Sequence, residues 1–158
     1  MKKITIGFVI VALYLISSMN ANAQKVNADD VLGLWWNEEK TSKIEIYKKG
    51  TQFFGKLAHL TEPIDPDTGK PKLDKDNPEE SLRDRPLLGL NIIRDFEFDA
   101  DDQEWIDGEI YDPKSGNTYN CYMEFEDPSN KNILKVRGYI GYAFLGLGRT
   151  TYWTRVTE

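Results

Sequence analysis

From Leu32 onward the chain alternates apolar and polar residues with a period of two, rich in Ile, Val, Thr and aromatics and broken at Gly, Asp, Asn and Pro. That alternation predicts half-buried β-strands, and no long stretch has the apolar spacing of a helix. Leu32–Glu38 (LGLWWNE) reads as a first strand, after a short helical turn around Asn27–Val31. Lys43–Lys48 (KIEIYK) and Thr51–Leu60 (TQFFGKLAHL) form a hairpin across Lys49-Gly50. Leu90–Phe98 turns through Asp99–Asp102 into Glu104–Tyr111, and Asp112–Gly116 leads to Asn117–Phe125. Glu126–Asn132 then turns into Ile133–Ile140, and the glycine-rich Gly141–Gly148 leads to Arg149–Val156. Eight strands in sequence order predict an all-β antiparallel meander, closed into a barrel that removes its edges. A two-sheet sandwich accommodates the same strands and stands as the alternative. An eight-stranded barrel encloses just enough space for packed side chains or one small ligand.

One segment interrupts the meander. Thr61–Pro86, after the third strand, carries five of the seven prolines and many charges. So long a stretch without strand pattern is either a lid over a barrel mouth or a disordered connection. Within it Glu79–Arg85 predicts one or two helical turns, with Asn77 as N-cap and Pro78 at the first position.

The N-terminus reads differently. Lys2 and Lys3 precede an apolar run from Ile6 to Ile16, and Ala21-Asn22-Ala23 follows as an A-x-A site. Residues 1–23 are expected to be a cleavable signal peptide cut after Ala23, since the run is shorter than the roughly 20 residues of a membrane-spanning helix. Residues 24–158 are then a single domain, periplasmic or secreted. Removing Lys2 and Lys3 leaves 18 basic and 26 acidic residues, a charge of −8. Such an acidic domain is poorly suited to nucleic acid or anionic lipid surfaces. The single cysteine, Cys121, allows no intrachain disulfide, and no cysteine lies just after the signal to carry a lipid membrane anchor. With one Cys and one His (His59), a structural zinc site is not expected.

Longer motifs carry a family resemblance. They are Gly33-Leu34-Trp35, Asp67-Thr68-Gly69-Lys70-Pro71, Asn77-Pro78 and Leu82–Leu90 (LRDRPLLGL). They continue with Trp105–Pro113 (WIDGEIYDP), Gly116, Thr118-Tyr119, Arg137–Gly141 (RGYIG) and Trp153-Thr154-Arg155. Across nearly all of residues 24–158 the chain resembles the exported, lipocalin-like bacterial proteins of the DUF2147 family. The resemblance implies a calycin-type β-barrel with an internal cavity that binds small hydrophobic molecules. Gly33 and Trp35 also look like the lipocalin Gly-x-Trp signature. That resemblance implies a tryptophan closing one barrel end, with an arginine of the last strand, Arg155, stacked across it.

Catalytic chemistry has little to stand on. His59 falls on the strand face of Phe53, Gly55 and Leu57, and no Gly-x-Ser-x-Gly elbow accompanies it. Cys121 shares a face with Tyr119 and Met123, as a buried thiol would. Asp107 and Glu109 share a face with Trp105 and Tyr111, which suggests paired carboxylates acting on a glycan. Asp65–Gly69 resembles a calcium loop but lacks its terminal glutamate.

Polar residues placed among aromatics are more informative. Asn120, Tyr122 and Glu124 alternate opposite Tyr119, Cys121, Met123 and Phe125. Arg137 shares a face with Ile133, Lys135 and Tyr139, and Arg149 shares one with Trp153 and Arg155. Alternation alone leaves open which faces point inward. Were Arg137 inward, it would need an acidic partner such as Glu109 or Glu124, or a ligand carboxylate. The reading is an apolar cavity in which Arg137, Tyr111, Tyr122 and Tyr139 anchor the head group of a fatty-acid-like ligand. Its counterpart is a closed Arg–Glu pair in a filled core. Gly141–Gly148 suits a barrel mouth, a partner surface or plain packing, and has no phosphate-loop ending. The sequence thus predicts an exported binder of a small hydrophobic or amphipathic molecule, not an enzyme, with no cofactor and no metal. An interaction module with a filled barrel and a glycan-processing enzyme are the alternatives. Oligomeric state is not legible.

Overall fold

A computed structural model describes residues 25–143 and 146–157; the expected signal segment lies outside the described residues, as do Phe144 and Leu145 of the glycine-rich loop. The eight strands are β1 (Gly33–Trp36), β2 (Ser42–Lys49), β3 (Gln52–Leu60) and β4 (Asn91–Asp99), followed by β5 (Glu104–Asp112), β6 (Asn117–Glu124), β7 (Ile133–Tyr139) and β8 (Gly148–Arg155). Each pairs antiparallel with the next and β8 returns to β1, closing the barrel and removing the sandwich alternative. The closing seam is short: only Trp35↔Arg155 and Trp36↔Thr154 are in register, because β1 has four residues against the eight of β8.

One end of the barrel is filled. Trp35, Phe53, Phe96 and Trp105 have no exposed surface, and rings of Phe53, Phe98 and Phe125 lie 5.1–6.3 Å from that of Trp105. A 3-10 turn, Ala28–Val31, covers this end. Its carbonyls receive the two indoles, Trp35 Nε1 to Val31 O at 2.8 Å and Trp105 Nε1 to Ala28 O at 3.0 Å. Arg155 donates to the Leu32 carbonyl at 2.9 Å and the Lys131 carbonyl at 3.1 Å, and also to that of Asp30. Its guanidinium carbon stands 4.1 Å from the Trp35 ring centroid, the stacked pair that Gly33, Trp35 and Arg155 suggest. Gly33 makes the entry to β1 at φ +119°, a conformation open to glycine.

The long loop is built rather than disordered. Asp74 has no exposed surface, and it accepts Tyr111 Oη at 2.6 Å, Asn77 Nδ2 at 2.8 Å and Arg85 Nη2 at 2.8 Å. The 3-10 turn Glu80–Leu82 starts from Glu79 as its N-cap, with no side-chain capping bond, and Asn77, expected in that role, lies two residues before the cap and accepts the Glu79 amide at 2.9 Å. Gly116, at φ +70°, has no room for a Cβ against the Asp76 carbonyl, so the β5–β6 turn packs on this loop.

Candidate functional site

The barrel end opposite the aromatic core holds a cavity of about 840 Å³. Its apolar wall comes from inward positions of the strands, chiefly Ile44, Leu57, Ile92, Ile110, Val136 and Trp153. Ser42, Tyr119 and Thr151 add hydroxyl groups to that wall. Gly138 also lines it, and the missing side chain leaves space beside Ile110 and Tyr119. Charged groups and an amide gather where the open-end loops meet. The β1–β2 loop brings Asn37, Glu38 and Glu39, the long loop Glu62 and Lys72, the β5–β6 turn Lys114, and β8 Arg149. Ile140 and Leu147, both more than 60% exposed, also line the cavity, which puts the described part of the glycine-rich segment at the mouth.

The mouth charges are paired with one another. Arg149 Nη2 lies 3.1 Å from Glu39 Oε1 and 3.8 Å from Glu38 Oε2. Glu39 Oε2 in turn receives Asn37 Nδ2 at 3.3 Å and stands 3.7 Å from Lys114 Nζ. Glu38 also accepts the Tyr152 amide at 3.2 Å, so a side chain caps the β8 edge that short β1 leaves bare. Among the described residues no buried side-chain nitrogen or oxygen lacks a hydrogen-bond partner.

The residues expected to anchor a head group do not meet in this cavity. On β7, Leu134 and Val136 are buried and Gly138 lines the cavity, so Arg137 and Tyr139 point to the outer face. Arg137 Nη1 donates to Thr150 Oγ1 at 3.0 Å. Tyr122, opposite Arg137 in the ladder, is outward too, with its ring 6.4 Å from that of Tyr139 and Lys135 Nζ 5.9 Å from its centroid. Neither the head-group cluster nor the closed Arg–Glu pair forms. Tyr111 does border the cavity, but its hydroxyl is engaged by Asp74 and Asn77 of the long loop. The arginine that faces the cavity is Arg149, on the face it shares with Trp153 and Arg155.

Bulges displace other candidates. In β3, Ile44 pairs with Leu57 and Lys43 with His59, leaving Ala58 as an extra residue. His59 therefore moves to the exposed outer face, edge-on to Trp36 at 5.9 Å, while Leu60 turns inward to line the cavity. In β5 the register skips between Trp105 and Gly108, and Asp107 is left exposed at φ +58°. Glu109 pairs with Arg94 at 3.0 Å, so the two carboxylates lie outside the cavity rather than facing a cleft. Cys121 is buried, and burial pushes its thiol far above the ordinary range, where it holds no thiolate at neutral pH. The Asp65 carboxylate accepts the amides of Asp67 and Thr68 and is paired with Lys75, which holds its pKa below the usual value. The ionic partner of this carboxylate is thus an ammonium group of the same loop. Among the described residues no three His, Cys, Asp or Glu side chains converge as a metal site, and no helix is long and apolar enough to cross a membrane.

Comparison with solved structures finds a Helicobacter pylori protein described as belonging to the lipocalin family. The two share 22% identity and a TM-score of 0.66, over 85% of this chain and 86% of that one. At that identity the likeness establishes a shared lipocalin-like barrel. A search of curated proteins finds no match. The family model described as an uncharacterized protein conserved in bacteria, DUF2147, matches residues 33–155, from the first residue of β1 to the last of β8, and the chain belongs to that family.

Proposed function

We propose that this chain is an exported binding protein that holds a hydrophobic or amphipathic small molecule noncovalently in its barrel and catalyses no reaction on it. One observation carries the reading: the barrel is filled at one end and at the other opens into a hollow of about 840 Å³, with aliphatic side chains in its wall and charged ones at its mouth. Sites for small organic ligands have this form, a concave apolar volume with a few polar groups at fixed positions. The connection between β3 and β4 supports it by contributing Glu62, Lys72 and Leu87 to one side of the opening. Export to the periplasm or beyond rests on Lys2, Lys3, the Ile6–Ile16 run and Ala21-Asn22-Ala23.

The open cavity favours this reading over an interaction module, whose barrel would be filled. The positions of Asp107 and Glu109 weigh against glycan chemistry. Native mass spectrometry of protein purified from its own cell envelope, followed by solvent extraction, tests the proposal. A stoichiometric added mass that extraction removes, and that fractionates as a lipid-like molecule, is the expected result. A bare polypeptide that takes up nothing from a panel of fatty acids, alcohols and lipids would overturn it.

A further inference from the structure

The mouth contains an arrangement that selects the head group, an inference that rests on the binding function proposed above. Asn37 Nδ2, Lys114 Nζ and Arg149 Nη2 come from a loop, a turn and a strand far apart in sequence, and all converge on one carboxylate, that of Glu39. Amide, ammonium and guanidinium donors around two oxygens are what a ligand carboxylate requires. The deeper wall, from Ile44 to Trp153, offers hydroxyls, among them those of Ser42, Tyr119 and Thr151, and no charged group. A charged head group placed there would lose its hydration without compensation. An amphiphile therefore enters tail first and leaves its head at the mouth. We infer that Asn37, Lys114 and Arg149 form a carboxylate-binding site for an anionic amphiphile, and that Glu39 is a built-in carboxylate the ligand displaces.

The exposure of the cluster suits displacement. Glu39 is 45% exposed, and its partners Arg149 and Lys114 are 70% and 79% exposed. Ion pairs so open to water are weak, and a displaced carboxylate recovers its hydration. Glu39 thus acts as a competitor that any anionic ligand must beat, while a neutral ligand leaves it in place. Its charge sets the preference between fatty acids and alcohols of equal length.

The test compares dodecanoate with dodecanol by titration calorimetry on the wild-type protein, Glu39→Gln and Arg149→Ala, with circular dichroism confirming the fold of each. Glu39→Gln is expected to tighten dodecanoate about five-fold and to leave dodecanol within about two-fold. Arg149→Ala is expected to weaken dodecanoate by a similar factor and to spare dodecanol. Equal changes for both probes, no change in either, or dodecanol binding without dodecanoate binding even in Glu39→Gln would overturn the head-group site and leave the cavity function standing. Binding of neither probe to any of the three proteins would overturn both.

Discussion

Asp74 is a carboxylate with no exposed surface, and the Arg85 that pairs with it has a side chain 37% exposed. Burial alone pushes its pKa up, but hydrogen bonds from Tyr111, Arg85 and Asn77, with the charge of Arg85, outweigh burial and hold it below the ordinary 3.8. A folded-state pKa below the unfolded one means the ionised group stabilises the fold above the ordinary carboxylate range. That contribution is lost as the pH falls through the lowered value. Asp74→Asn is expected to cost about 2–4 kcal/mol at pH 7, since it removes the charge that Arg85 faces and an acceptor for Tyr111. Urea denaturation of both proteins at pH 7 and pH 3 checks this: the gap narrows at the lower pH, and a gap independent of pH would refute the ionic account. Arg155 acts at the other end, and its charge matters less than its shape. It caps three carbonyls and covers Trp35. Arg155→Lys keeps the charge but supplies neither the planar fork nor the stacking, so it should cost about 2 kcal/mol or more in the same assay. Full stability in that variant would show the pair to be incidental.

At the scale of strands, period-two patterning located every element, with boundaries within a few residues, because each strand has one dry face and turn residues at its ends. It did not locate the bulges. Ala58 and the Ile106–Asp107 step each insert a residue, and every side chain beyond such a step changes face. That is why His59 and Asp107 lie outside. The reversal of Arg137 has another origin. Both faces of β6 and β7 carry aromatic or apolar residues, Tyr122 and Ile133 against Tyr119 and Leu134, so alternation there has no polarity to read. The mouth cluster was illegible for a third reason: Glu39, Lys114 and Arg149 are brought together only by barrel closure. Asn77, which its position before Pro78 suggests as a cap, instead partners Asp74 and Tyr111, a role that depends on how the long loop folds back. The β5 bulge brings Gly108 so close to the Phe96 ring that a Cβ would overlap it. Phe96 has no exposed surface and sits in the packed core. Gly108→Ala should therefore destabilise by about 2–3 kcal/mol through overpacking, although its backbone conformation suits alanine. A denaturation midpoint equal to wild type would show that the ring can move.

The whole molecule divides its interior between two tasks. The end built from Trp35, Phe53, Phe96 and Trp105 is packed without exposed surface and supplies stability, whereas the end around Ile110, Tyr119 and Gly138 borders the cavity. Apolar surface facing a cavity forgoes the contacts of a packed core, and a ligand that fills the space restores them. Ligand at about 100 times its dissociation constant should raise stability by about 2.7 kcal/mol. Gly138 is where the two tasks can be exchanged. A Cβ there would meet Ile110 Cγ2 at 3.4 Å and Tyr119 Cβ at 3.5 Å, ordinary contact distances, so a larger side chain can extend into the cavity without forcing the wall apart. Gly138→Leu should fold with unligated stability equal to or above wild type, since its side chain covers aliphatic wall. The same variant should lose most of the stabilisation that dodecanol gives the wild type, while Gly138→Ala keeps it. Thermal denaturation of the three proteins with and without dodecanol separates the outcomes. An undiminished shift in Gly138→Leu would mean that the ligand sits elsewhere. A diminished shift in a protein that is otherwise no less stable would identify the space beside Gly138 as the place where folding energy has been left for the ligand to supply.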